Sequence, residues 1–259
     1  MRDSDADASK GRAPEGCIHV GTSGWAYAHW DPSFYPEHTP ADRRLTAYAE
    51  RLPTVEIDAT FYRLPSERAV TAWRDEVPAG FVFAVKGSRF ITHFRRLTDT
   101  DEAVAAFADR LSLLGDKLEV MLWQLPPDLK AAPALLDRFL ASLPAGVRHA
   151  VEFRHASWLT PETFDVLRAH GAAHVHISSD EMPVDLTPTA DFVYVRFHGT
   201  AEYHGAYTHP ALEPWAAFLH DQAASGRDGY VYFNNDFEGH APRDAARLIG
   251  MLGDDACRP

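Results

Sequence analysis

The sequence is short of sulfur, of lysine and of long apolar runs. Only two cysteines, Cys17 and Cys257, occur in its 259 residues, near opposite ends. They supply neither a closely spaced metal knuckle nor a CxxC redox pair, and a reducing compartment is the simpler expectation. No apolar stretch approaches the roughly 18 residues a spanning helix needs, so no membrane association is expected. Lysine stands only at positions 10, 86, 117 and 130, and 25 basic side chains face 37 acidic ones, for a formal net charge of -12. That balance argues against a broad duplex-binding face, which needs several phosphate-facing Lys or Arg. The first sixteen residues, MRDSDADASKGRAPEG, lack the apolar core of an export signal. They are expected to be a disordered leader on a cytoplasmic protein.

What is present is a repeated alternation of short β-rich segments and amphipathic ones. Strands are predicted near 17–22, 54–59, 81–86, 118–124, 149–154, 173–178, 191–198 and 229–235. Helical stretches fall in most of the steps between them; the step from the sixth strand to the seventh, DEMPVDLTPTA, is short and irregular. Eight strands with intervening helices predict an α/β fold, a single TIM-like (β/α)8 barrel over 17–252 with a flexible tail at 253–259. An open doubly wound sheet is the alternative, but its GxGxxG fingerprint is absent.

Barrel strands alternate between interior and helix-facing side chains, so apolar parity marks the outside. Val55 and Ile57 then put Glu56 and Asp58 inside, and Val151 and Phe153 do the same for Glu152 and Arg154. Val195 and Phe197 leave Arg196 and His198 inward; Val231 and Phe233 leave Asn234 and Asp236 inward, with Asn235 supporting the turn. Lys86 ends the interior face of the third strand and Gln124 that of the fourth. His19, His174 and His176 are also expected to face in. The result is a ring of complementary charges near the carboxyl ends of the strands, where barrel active sites form.

The candidate acid/base residues are His198, Glu152, Glu56 and Asp58. A histidine titrates near neutrality, and a carboxylate pair could shuttle protons or ligate a divalent cation. Lys86, Arg154 and Arg196 suit an anionic group, Asn234, Asp236 and Gln124 its polar substituents. Trp25, Tyr27 and Tyr62 follow strand ends and could stack on a ring. For each, the structural alternative is a salt bridge, a cap or a core contact. No cofactor motif is evident; a divalent metal is left open.

Seven segments together resemble a known family: GTSGWAYAHW with FYP at 21–36, VEIDATFYRLPS at 55–66, FAVKGSRFITHFRRL at 83–97, LWQLPP at 122–127, VEFRHASW at 151–158, VRFHG at 195–199 and YVYFNND at 230–236. In this length and order they resemble the YecE-like family, whose domain carries an unknown-function label. The resemblance spans Ile18 to about Met251. It implies a single TIM-like barrel and brings no established reaction. The sequence departs from the family pattern at Asp58-Ala59, where Asn-Ser is common, and at Trp123, where Phe is common; a mechanism requiring a carboxylate at 58 would not be family-wide. The functions to weigh are an enzyme acting by hydrolysis or isomerisation on a small anionic or polyhydroxylated substrate that could be phosphorylated, a non-enzymatic ligand-binding or scaffold protein, and a nucleic-acid-processing, phosphodiesterase-like protein. Oligomeric state is not legible.

Overall fold

The computed structural model describes residues 16–31, 33–199 and 205–259. Eight parallel strands close on themselves in sequence order: β1 Ile18–Ser23, β2 Thr54–Ile57, β3 Val82–Lys86, β4 Leu118–Gln124, β5 Arg148–Glu152, β6 Ala173–Ser178, β7 Phe192–Phe197 and β8 Asp228–Phe233. Closure is made by β1 against β8, with Ile18 opposite Gly229 and Thr22 opposite Phe233. A closed sheet leaves no edge for another chain to pair with. The barrel expected from the sequence is the fold; the residues of the expected leader up to 15 lie outside the described ones.

Outside the strands pack α1 Arg44–Ala49, α2 Glu67–Glu76, α3 Asp101–Leu111, α4 Pro133–Ala141, α5 Pro161–Ala169, α6 His209–Ala224 and α7 His240–Leu252. Their starts follow local chemistry. Ser66, Thr160 and Thr208 each accept a backbone N–H of the first turn on the side-chain oxygen, and Pro161 takes the first helical position of α5. No helix fills the step from β6 to β7, as the irregular run there foreshadows. None of the described helices is long and apolar enough to cross a membrane.

Two apolar layers result. Val55, Ile57, Val85, Trp123, Val151, Phe153, Val195, Phe197 and Phe233 belong to the layer between strands and helices. Ala84, Val120, Leu122, Ala150, Val175, Ile177, Tyr194 and Tyr232 fill the barrel. Gly87 fits the larger tryptophan at 123: a Cβ on it would lie 2.4 Å from the Trp123 ring.

Three expectations need correction. His174 and His176 face the helices, not the interior, because Ala173, Val175 and Ile177 fill the barrel at that level. His174 sits 5.0 Å from the Phe164 ring of α5 and 5.9 Å from Phe153; His176 meets Phe218 of α6 at 5.0 Å. His19 does point inward, stacked 5.2 Å from Tyr230, but at the amino-terminal mouth. The tail is not loose: Ala256 bridges to Ile18, and Cys257, itself buried, forms a disulfide with Cys17. The backbone N–H of Cys257 donates to Ile18 O at 3.0 Å.

Burial holds the His174 pKa down to about 3 and the His176 pKa to about 4, with Asp185 only partly opposing it. Both imidazoles are therefore neutral when folded and take up protons near pH 6.5 only on unfolding. Stability they contribute is complete above about pH 6.5 and falls toward pH 4, by at most about 1.4 kcal/mol per histidine per pH unit. Urea unfolding at pH 7.5 and 5.0 should show this loss, and His174→Phe should make it smaller. An unaltered pH slope in the variant would mean that His174 is already charged in the folded protein.

Candidate functional site

At the carboxyl end of the barrel the inward positions of β2, β5 and β7 meet on one side chain. Arg196 of β7 is 1% exposed. Its Nη2 donates to Glu56 Oε1 and its Nη1 to Glu152 Oε2, both at 2.6 Å. A charge this deep needs matched, well-placed partners. Each oxygen of the two carboxylates has at least one donor. Ser23 and Tyr194 hydroxyls donate to Glu56, each at 2.6 Å, and Arg154 Nε donates to Glu152 Oε1. Burial pulls both carboxyls upward, yet the surrounding arginines hold Glu56 and Glu152 below the usual range, Glu152 furthest. Among the described residues no three candidate ligands converge at this mouth; the one such group is Cys17, His19 and Cys257 at the other.

His198 lies on the same floor, 2% exposed. Arg154 Nη2 approaches its Nε2 at 3.0 Å, and the Asn234 amide approaches its Nδ1 at 3.2 Å. Nε2 also lies 3.5 Å from Glu152 Oε1. Burial lowers the His198 pKa to about 4 against the upward pull of Glu152, so the ring is neutral near pH 7.

Above the floor opens a cavity of about 570 Å³, lined by Phe61, Tyr62, Lys86, Arg89, His93, Phe94, Gln124, Arg154 and Asn234. Lys86, Arg154, Gln124 and Asn234 are presented by strand ends, as parity predicts. Lys86 Nζ sits 4.3 Å over the Phe61 ring and makes no ion pair among the described residues. Burial and the Arg196 charge lower its pKa to about 8, although Glu152, Glu56 and Asp58 pull upward. Arg89 lies over Tyr62 and Phe94, which are 65% and 67% exposed at the rim.

The other expected residues stand apart from the cavity lining. Asp236 accepts from Trp30 Nε1 at 2.6 Å and pairs with His29, tying the end of β8 to the loop after β1. Tyr27 donates to Ser23 O at 2.9 Å, and Trp25 packs edge-on against Trp73 of α2. Burial, followed by the Glu56 charge, raises the Asp58 pKa at the start of the turn after β2. Asn235 supports the turn as expected, donating to Asp244 at 2.8 Å. Arg89, His93, Phe61 and Phe94 were not singled out by parity because none is on a strand. The run RFITHFRRL lies within the family-resembling motif at 83–97 and carries three arginines; its Phe90–Phe94 segment is a π-helical turn, a form common at functional sites.

A closed parallel barrel with a polar, cation-lined mouth at its carboxyl end is the class these features define. The chain belongs to the family described as Protein of unknown function DUF72, which it matches over residues 19–258. The UPF0759 protein YunF of Bacillus subtilis is 28% identical over 91% of this chain and 94% of its own length. The UPF0759 protein YecE of Escherichia coli is 31% identical over 53% of this chain and 48% of its own. A crystal structure of a DUF72 family protein from Thermotoga maritima superposes with a TM-score of 0.83 at 28% identity, covering 91% of this chain and 99% of that one. The YecE-like resemblance of the motifs is thus a family membership, and the family carries no assigned reaction.

Removing Arg196 leaves buried Glu56 without its guanidinium and Glu152 with Arg154 alone, so Arg196→Met should cost about 3–5 kcal/mol in chemical denaturation. Adding Glu56→Gln and Glu152→Gln should recover part of it. A single variant as stable as the parent would dismiss the triad as the organising contact. Because both glutamates have depressed folded pKa values, their contribution is present above about pH 4.3 and vanishes as acid protonates them.

Proposed function

We propose that this protein is an enzyme whose carboxyl-terminal mouth takes a small organic anion, a phosphate or carboxylate ester or salt, with a planar or apolar portion against the rim aromatics. The observation that carries the reading is the lining of the cavity: among the described residues Lys86, Arg89 and Arg154 face it and no carboxylate does, inside a chain whose formal net charge is -12. Beneath and beside it Glu56 and Glu152 pair with Arg196 and Arg154, Glu181 pairs with Arg154, and Asp58 acts on Lys86 from the turn after β2. An anion entering there gains Coulomb attraction in a partly desolvated setting.

Proton transfer falls to Lys86 and His93 in this reading. A lysine with a pKa near 8 has a neutral fraction close to physiological pH, and burial and the Lys86 charge also lower the His93 pKa. Glu56, Glu152, Arg196 and His198 then act as positioning residues, fixing Arg154 and the field at Lys86. Hydrolysis and isomerisation both suit such groups. A cytoplasmic setting belongs to the same proposal, and nucleic acid does not.

Thermal unfolding with a panel of inorganic phosphate, sugar phosphates and small di- and tricarboxylates tests the proposal. An anion at about 100 times its Kd should stabilise by about 2.7 kcal/mol. Lys86→Met should abolish that gain while leaving the ligand-free protein at least as stable, since it removes a poorly solvated charge. Stabilisation by no anion, or by the same anion equally in Lys86→Met, would sink the reading.

A further inference from the structure

The amino-terminal mouth of the barrel holds a second cluster of chemically capable groups. Cys17 precedes β1 and Cys257 follows α7, 240 residues later, with their Cα atoms 5.5 Å apart. The barrel backbone sets this proximity. Gly229 N–H donates to Cys17 O at 3.0 Å, Cys257 N–H donates to Ile18 O at 3.0 Å, and Ile18 bridges to Ala256. Opening the disulfide therefore leaves two thiols side by side.

His19 follows Cys17 by two residues and shares its side of β1. Its ring is held flat against Tyr230, at an interplanar angle of 4°. Its Nδ1 is buried without a hydrogen-bond partner. Ligand atoms of Cys17, His19 and Cys257 lie within 4.8 Å of one another. A buried imidazole nitrogen with nothing to bond is uncommon and calls for a missing partner. Around the cluster stand Asp228, Glu119, Arg148 and Tyr230. Asp228 accepts from Cys17 N at 3.2 Å and from Arg148 at 3.0 Å, and the two carboxylates exceed the one guanidinium.

We propose that, with the disulfide reduced, Cys17, His19 and Cys257 form a three-ligand site for a thiophilic divalent cation of the zinc class. Two sulfurs and one imidazole are a ligand set such ions favour, and the fourth position is left to water. Binding exchanges protons for metal: two thiols and M²⁺ give a bis-thiolate complex and two H⁺. An oxidised low-molecular-weight disulfide reverses it. Its S–S bond accepts the two electrons, two protons are taken up to give two small thiols, the Cys17–Cys257 bond forms, and M²⁺ leaves. Metal and disulfide are alternative clasps on the same two chain ends, at the mouth away from the cationic cavity.

The full chain, reduced with a phosphine under argon and freed of metal, is titrated with Co²⁺ as the probe. One equivalent should produce thiolate-to-cobalt charge-transfer absorption and tetrahedral ligand-field bands, discharged by Zn²⁺. Cys17→Ser should remove the charge-transfer band or halve it, and His19→Gln should weaken Co²⁺ binding at least about tenfold. Oxidised protein should give no signal until reduced. A folded, reduced parent without these bands, or His19→Gln binding as tightly as the parent, overturns the site. Alkylation of the parent needs no variant: Zn²⁺ should slow iodoacetamide labelling of both thiols at least about tenfold, and unprotected thiols overturn the proposal equally.

Discussion

The structure depends on one guanidinium. Arg196 is fully buried where β2, β5 and β7 converge, and it is held by two carboxylates at 2.6 Å. Removing three charges from water is costly, and the geometry offsets it because every oxygen of the two carboxylates has at least one donor. Ser23, Tyr194 and Arg154 complete that shell. The contact links strands distant around the barrel, so it fixes register as well as charge. It also decides what the mouth can attract. With both glutamates paired to arginines, the cavity above them is lined by Lys86, Arg89 and Arg154 and, among the described residues, by no carboxylate.

Much of this was legible in the residues. On β2, β5, β7 and β8 the outward positions are aliphatic or aromatic while the inward ones at the carboxyl end are charged or amide, so alternation alone separated Glu56, Glu152, Arg196 and Asn234 from Val55, Val151, Val195 and Phe233. The same rule misreads β6. In AHVHIS both parities can be buried, since a neutral imidazole packs on Phe164 or Phe218 much as an apolar ring does. Valine and isoleucine then took the barrel interior, and the histidines took the helices. Parity gives direction and not height: His19 is inward, yet it stands at the opposite mouth from Lys86.

What sequence could not yield lies off the strands or far along the chain. Arg89, His93 and Phe94 are delivered by a π-helical turn, whose side chains follow neither the strand nor the α-helical period. Neutrality at His198 is likewise a property of packing. It follows from burial of the ring on the floor of the barrel mouth, with the Arg196 and Arg154 charges beside it, and no run of letters around His198 announces it. Cys17 and Cys257 carry no spacing motif because barrel closure, which seats β1 beside β8 and under α7, is what brings them together.

The two mouths of the barrel therefore divide the work by the chemistry of their side chains. In barrels generally, groups at the carboxyl ends of strands carry reactions while those at the amino ends carry stability. Here the carboxyl end holds a fixed ionic floor beneath a lysine kept near pKa 8, a charge state easily altered by an arriving anion. The amino end gathers soft ligands, two sulfurs and an unpartnered imidazole nitrogen, on the segments that seal the first strand against the last helix. The first mouth lines its cavity with Lys86, Arg89 and Arg154, and the second sets Glu119 and Asp228 against Arg148. Whatever clasps Cys17 to Cys257 therefore acts on how firmly the barrel is closed, at a distance from the far mouth to which the proposed chemistry of Lys86 belongs.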